Sequence, residues 1–485
     1  MNSMRISRNK RMRSSRASIA PPRLRAEWFD EPELLFAGGN GHVDPKVGIN
    51  LFGPRSFNTT RHRAEVHFGF IGSGESIEGT ARFYEQCSKG VDGDEEHEPF
   101  PGCDKETGFR TELKIDTDAS EVITAAELEA IKAVKVRKLR FEAAVALLDE
   151  KLRLLKLKER PIDYIVFAIP PELYDLCRVV DYKDSAGEAV HRDLRRAFKV
   201  LAMKHEKPTQ IVRERTITDE IVNRQVDHKS VRAWNLFTGM YFKVDGIPWS
   251  PSGLDHETCY VGISFFRPRA EKSLLRASVA QAFDDQGEGF VLRGREFEWD
   301  EQKNGKTPHL PDDVAKDLIG RVVARYRDER KTLPRRVVIH KSSAYWPAER
   351  DGFRNGLMQI SEWDMVALRS VSQVRLIRAG QYPPLRGTAF HCGDVTHFYT
   401  TGYLKALERY PHGHVPSPIE ISDHHGSSSK ANLIREVLVL TKMNWNSANF
   451  CGAMPITLRF SRLVGQILRE MPDDVEPNPK YKYYV

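Results

Sequence analysis

Three kinds of hydrophobic pattern divide the chain. DYIVFAIP (163–170) is a short apolar run closed by two prolines, as expected of a strand buried on both faces of a parallel sheet. Helical PELYDLCR follows, then a helix around DLRRAFKVLAMK (193–204) and, after Pro208, the short strand TQIV. This alternation predicts a doubly wound α/β domain. A second α/β unit starts near 258, where CYVGISFF, RRVVIHKS and QVRLIRAG (373–380) read as sheet strands. DDVAKDLIGRVVARYRDER (312–330) is the amphipathic helix between the first two. KANLIREVLVLTKMNW (430–445) and the segment after Pro455 read as closing helices.

Ahead of these units the pattern is different. Residues 30–75 are rich in glycine and turns and end in strand-like AEVHFGFIG, 90–118 are acidic and loop-like, and 124–158 read as one charged amphipathic helix. The expected organisation is therefore a basic disordered arm over 1–25, a linker-like region over 26–158, a first α/β domain over 159–250 and a second over 251–485.

The totals narrow the class. With 485 residues, 40% of them hydrophobic, the chain suits two or three packed domains. No run approaches the ~18 apolar residues of a membrane span. The N-terminus lacks the apolar stretch of a secretory signal, so a cytoplasmic location is expected. The six cysteines are scattered and form no CxxC pair, which argues against a zinc site or a disulfide framework and for buried thiols. The formal net charge is +7, and the first 25 residues hold eight Arg or Lys and no acid. That balance fits a polyanionic partner or an ordinary basic surface.

Candidate chemistry gathers in the first α/β domain. Arg195 and Lys199 are four apart and share a helix face, Gln210 opens the next strand, and Lys243 ends the helix VRAWNLFTGMYFK before the turn DGIPW. Three cations and an amide could cage a terminal phosphate. Exposed helix faces also carry Arg and Lys routinely, so spacing leaves both readings open.

In order and spacing, several pieces resemble a prokaryotic Argonaute of the short class, with MID and PIWI domains and no PAZ domain. They are RRAFKVLAMKHEKPTQIV with the downstream Lys243 and GIPW, CYVGISFF, RRVVIHKS, and LTKMNWNSANFCGAMPITLRFSRLVG with the terminal YYV. The match covers residues 160–485, with a weaker one over 30–75. The resemblance implies a Rossmann-like MID domain followed by an RNase H-like PIWI domain. It implies that Arg195, Lys199, Gln210 and Lys243 bind the 5′ phosphate of a guide strand, Arg195 replacing the commoner Tyr. It also implies a structural magnesium ion between that phosphate, Gln210 and the carboxylate of Val485, whose aromatic neighbours suit a buried terminus.

The same resemblance places metal-binding acids of a nuclease at Ser264, Ser342 and Arg462; the further Glu has no firm position, with Glu296 and Glu298 in the right interval. A hydroxyl is a poor magnesium ligand and a guanidinium repels the ion. The expectation is a guide-loaded sensor without a cutting site. Its guide is RNA, its target single-stranded DNA, and its partner an APAZ-containing effector with a TIR, sirtuin-like or nuclease activity. The rival is an active nuclease using displaced carboxylates such as Asp255, Glu298 or Asp300. Two further clusters are open: Asp423, His424 and His425 as metal ligands or a polar loop that caps the next helix, and Arg335, Arg336 and Lys341 as channel cations or strand flanks.

Overall fold

A computed structural model describes residues 24–183, 187, 189–218, 226–255, 257–268, 274–281, 289–411, 415–472 and 475–485. Most of the expected basic arm, residues 1–23, lies outside the described residues. Its last two do not form an arm: Leu24 and Arg25 begin strand β1 (Leu24–Trp28), which pairs antiparallel with a strand over Thr388–Cys392.

The first sheet is parallel throughout. It contains β2 (Glu65–Gly72), β3 (Glu112–Lys114), β4 (Ser120–Val122), β5 (Tyr164–Ile169) and β6 (Thr209–Arg213) in the order β6-β5-β2-β3, with β4 also on β2. Every residue of β5 is buried, as its unbroken apolar run requires. The expected boundary at 159 therefore does not hold. EVHFGFIG is a central strand of this sheet, not part of a linker. The predicted helix over 124–158 is two helices, α1 (Ala125–Ala133) and α2 (Arg137–Leu157). Between them Val134 and Val136 are extended, a backbone that β-branched side chains favour. Phe141, Leu148, Leu152 and Leu155 of α2 pack with Ile165 and Phe167 on one face of the sheet.

Beyond β6 come α3 (Lys229–Lys243) and a nine-stranded mixed sheet. Besides β1, its strands are β7 (Thr258–Phe266), β8 (Leu274–Gln281), β9 (Val291–Glu298), β10 (Arg336–Lys341), β11 (Glu362–Ser370), β12 (Thr388–Cys392), β13 (Val395–Phe398) and β14 (Ile419–Gly426). The order is β1-β12-β13-β14-β11-β10-β7-β8-β9, with β7, β10 and β11 parallel and the other pairs antiparallel. QVRLIRAG is not a strand. Strand β11 ends at Ser370, and Ile377 in that segment is 94% exposed. The closing helices are Lys430–Leu440 and Ile456–Leu468.

One core joins the two sheets. Phe68 and Val166 of the first, Trp234 and Phe237 of α3, Val338 and Val366 of the second, and Tyr484 and Val485 belong to one buried cluster. The chain terminus is thus inside the molecule, with Val485 2% exposed. Five of the six cysteines are buried; Cys392 is exposed.

Candidate nucleic-acid interface

Two helices and two strand ends build the first cleft. Helix Leu194–Lys204 starts at Asp193, whose side chain accepts from the Arg196 N–H at 3.0 Å. That start fixes the helix so that Arg195 and Lys199 face β6 and the C-terminus. Arg195, Lys199, Gln210 and Val485 all line one cleft of about 600 Å³. Lys199 Nζ donates to Thr209 O at 2.5 Å and to the terminal oxygen of Val485. Lys243, fully buried at the end of α3, donates to Gln210 Oε1 at 2.6 Å. The four residues that the resemblance assigns together therefore meet, and the chain terminus meets them.

The electrostatics are one-sided. Burial, then the charges of Lys243 and Arg195, hold Lys199 well below the usual lysine range. Burial and the charge of Arg195 bring Lys243 down to about 7. Among the described residues the one side-chain carboxylate lining the cleft, Asp193, caps its own helix. Tyr174, Arg178, Arg213 and Asn446 complete the walls and were not found from sequence. Arg213 lies over the Tyr174 ring, 5.3 Å from its centroid. Its strand-end position after TQIV was the only signal.

A second cleft, of about 450 Å³, opens at the end of β7. Ser264 of β7 and Arg462 of the last helix line it together, with Arg196, Arg267, Gln466 and Arg469. No carboxylate lines it among the described residues. The last helix comes this close because position 262 is glycine: a Cβ there would lie 2.1 Å from Thr457 O. Ser342 is exposed just past β10 and is not among the lining residues. It stands two residues beyond His340, as Ser264 does beyond Gly262, and those two are registered partners. The serines thus take matching positions along adjacent parallel strands, Ser264 within β7 and Ser342 just past β10.

No family model matches the chain, and no curated protein matches its sequence. Solved structures do match its fold. A structure of Clostridium butyricum Argonaute, bound to a guide DNA (5′ deoxycytidine) and a 19-mer target DNA, superposes with a TM-score of 0.64 at 14% identity, over 94% of this chain and 54% of that one. Drosophila Piwi gives 0.58 at 12% identity, over 94% and 56%. A. aeolicus Argonaute gives 0.56 at 14%, over 94% and 55%. The fold is Argonaute-like. The chain spans about half the length of these structures. In Argonaute terms the parallel sheet is MID and the nine-stranded sheet is PIWI, so the first cleft lies in MID beside the terminus and the second at the PIWI strand ends.

Two oxygen atoms in the MID cleft are of the kind that would hold a hard cation, against the positive charge of the lysines and Arg195 beside them. Gln210 Oε1 and the Val485 terminus are oxygen donors of the kind magnesium takes. Each accepts from one ammonium group and keeps a second lone pair.

The other candidate residues fall elsewhere. Asp255 lies before β7, at the far end of the strand from Ser264, where Arg335 donates to it at 2.5 Å. The six steps from Thr258 to Ser264 span about 20 Å of strand. Glu296 is held by Arg276 on β8, with Nε at 2.9 Å. Asp300 caps the short helix Glu301–Asn304, and Glu298 pairs with Leu274 at the outer sheet edge. None of the four lines the PIWI cleft.

Arg336 and Lys341 are not channel cations. Both are buried, Arg336 on Asp364 and Glu436 and Lys341 on Glu349. Arg335 stays half-exposed on Asp255. Asp423, His424 and His425 belong to β14 rather than to a polar loop. His424 pairs with Asp364 at 2.9 Å and His425 with Asp423 at 3.0 Å. The cap of the following helix is Ser429, whose hydroxyl accepts from the Asn432 N–H.

Proposed function

We propose that this chain is a guide-loaded nucleic-acid sensor that binds its target without cutting it. The 5′ phosphate of a guide strand enters the MID cleft among Arg195, Lys199, Gln210 and Lys243. The exposed bases then pair with a single strand along the PIWI sheet, so base pairing reads sequence and the protein holds phosphates. The Clostridium protein, solved with guide and target DNA, supports this mode. By resemblance to short Argonautes, the guide here is RNA and the target single-stranded DNA.

The observation that carries the reading is the pair of buried lysines without a side-chain carboxylate partner among the described residues. The terminal carboxylate of Val485 faces Lys199 and an amide oxygen faces Lys243, so the two buried ammonium groups share one carboxylate; that is costly, and an incoming phosphate offsets the cost. A magnesium ion held by Gln210 and the Val485 carboxylate supplies further neutralisation of the phosphate when bound. Ser264, Ser342 and Arg462 offer no carboxylate for a cutting metal pair. The output then belongs to a partner, an APAZ-containing protein with a TIR, sirtuin-like or nuclease effector. Guide and target in the channel favour its active arrangement through differential affinity for its two states.

Replacing Lys199 and Lys243 by Ala tests the pocket. Charge-assisted bonds of this kind are worth about 1.5–3 kcal/mol each. The double variant should weaken binding of a 5′-phosphorylated guide at least tenfold more than binding of a hydroxyl-ended guide. Equal losses for both guides would remove the assignment.

A further inference from the structure

The geometry points to a zinc site at the start of α3, held by Asp94, His97 and His228. None of the three lines either cleft, and Lys243 stands at the other end of α3, so the site is independent of the function proposed above. One ligand atom of each residue lies within 4.8 Å of the other two. His97 Nδ1 is 2.8 Å from Asp94 Oδ1, and His228 Nε2 is 3.9 Å from Asp94 Oδ2. Zinc bonds in a tetrahedral site set neighbouring ligand atoms about 3.3 Å apart, between these two distances. The two imidazole rings are stacked, 4.9 Å between centroids and 10° between planes. Coordination in the ring plane needs one of them to tilt, and His97, on an exposed turn, is the one with room to do so.

The loop carrying two of the ligands is held in place by its own packing. Val91 and Phe100 bridge its ends, the Asp94 N–H donates to His97 O at 3.0 Å, and Trp234 Nε1 of α3 donates to Pro99 O at 2.9 Å. Asp94 Oδ1 accepts from the Glu96 and His97 N–H groups at 2.9 and 2.7 Å, which leaves Oδ2 toward His228. His228 Nδ1 is 2.8 Å from Ser230 Oγ and 3.3 Å from Ser230 N. Donating its proton over the shorter contact leaves the Nε2 lone pair for the ion, the outer support that metal-binding histidines use. Zinc then takes the place of the proton that His97 Nδ1 shares with Asp94, and that proton leaves to solvent. The partial charge at the start of α3, about half an elementary charge, opposes a cation but is smaller than the full charge of Asp94. Residues 91–100 add Asp92, Glu95, Glu96 and Glu98 and contain no Lys or Arg. Two imidazoles and a carboxylate suit zinc, with water in the fourth place. No thiolate takes part, so the scatter of the cysteines has no bearing on this site.

Zinc titration of the full chain, stripped with a chelator and free of nucleic acid, tests the site. The expected result is one ion per chain, undisturbed by excess magnesium, which imidazole holds poorly. X-ray absorption should show nitrogen and oxygen at about 2.0–2.1 Å and no sulfur near about 2.3 Å. His97→Ala and His228→Ala should each lower zinc affinity at least about tenfold. Asp94→Asn should do the same while its amide oxygen keeps the turn's backbone hydrogen bonds, so the test stands even where a histidine variant fails to fold. Zinc should also raise the thermal midpoint of the wild type and leave that of Asp94→Asn unmoved. Absence of stoichiometric binding, a sulfur ligand, or wild-type zinc affinity in Asp94→Asn and the histidine variants would each overturn the site.

Discussion

At the residue scale, Lys243 would make the proposed guide pocket a proton-linked site. In an unfolded chain a lysine titrates near about 10.4; buried beside Arg195, Lys243 titrates at about 7. Between these values the unfolded state holds more protons than the folded one, so stability of the guide-free protein rises with pH across that window. The cost of burying the charge is full below pH 7 and gone above about 10.4. A phosphate reverses the preference, because it is held best by the ammonium form. Guide binding therefore takes up a proton, and affinity should fall as pH rises above 7, by up to about tenfold per unit for each proton taken up. Isothermal titrations in buffers of different ionisation enthalpy measure this directly. A 5′-phosphorylated guide should show the fall and a hydroxyl-ended one a much flatter profile; identical profiles would mean that Lys243 does not meet the phosphate.

At the scale of elements, the approach of the last helix to β7 decides where Arg462 sits. Gly262 permits it, since Thr457 O occupies the space of a Cβ at that position, and His340 Nδ1 and Thr457 Oγ1 lie 2.9 Å apart across the same contact. Gly262→Ala should cost about 1–3 kcal/mol of stability through overpacking. It should also weaken target binding more than guide binding, because the helix carrying Arg462 is pushed off the sheet. Urea unfolding together with the two titrations checks this, and wild-type stability would show that the contact yields without cost.

The same scale shows what the sequence discloses. Strand β5 and the helices after it are legible because an unbroken apolar run between prolines, then amphipathic periods, are local marks. The place of EVHFGFIG is not, because its parallel partner β5 lies 96 residues on and parallel pairing leaves no turn to read. QVRLIRAG alternates like a strand, yet the apolar MVAL of β11 takes the sheet position just before it. The guide pocket was legible as a set only through the family resemblance. Spacing relates Arg195 to Lys199, but nothing local relates either to Gln210, Lys243 or the chain terminus. Arg469 does share local periodicity with Arg462, seven residues apart, a signal that marks a helix face and not a cleft.

At the scale of the whole molecule, MID and PIWI share one core, and both clefts are fixed to it by the helix Leu194–Lys204 and by the buried terminus. Among the described residues no helix is long and apolar enough to cross a membrane. Around that core lie a basic cleft beside the chain terminus and a second cleft that no carboxylate lines among the described residues. The most direct measurement combines binding and integrity in one tube: purified chain, a phosphorylated RNA guide, and end-labelled matched or mismatched single-stranded DNA, in magnesium and in manganese. Guide-dependent retention of the matched strand with its full length preserved is the predicted result. A guide-addressed cut in that strand, made by this chain alone, would contradict the account.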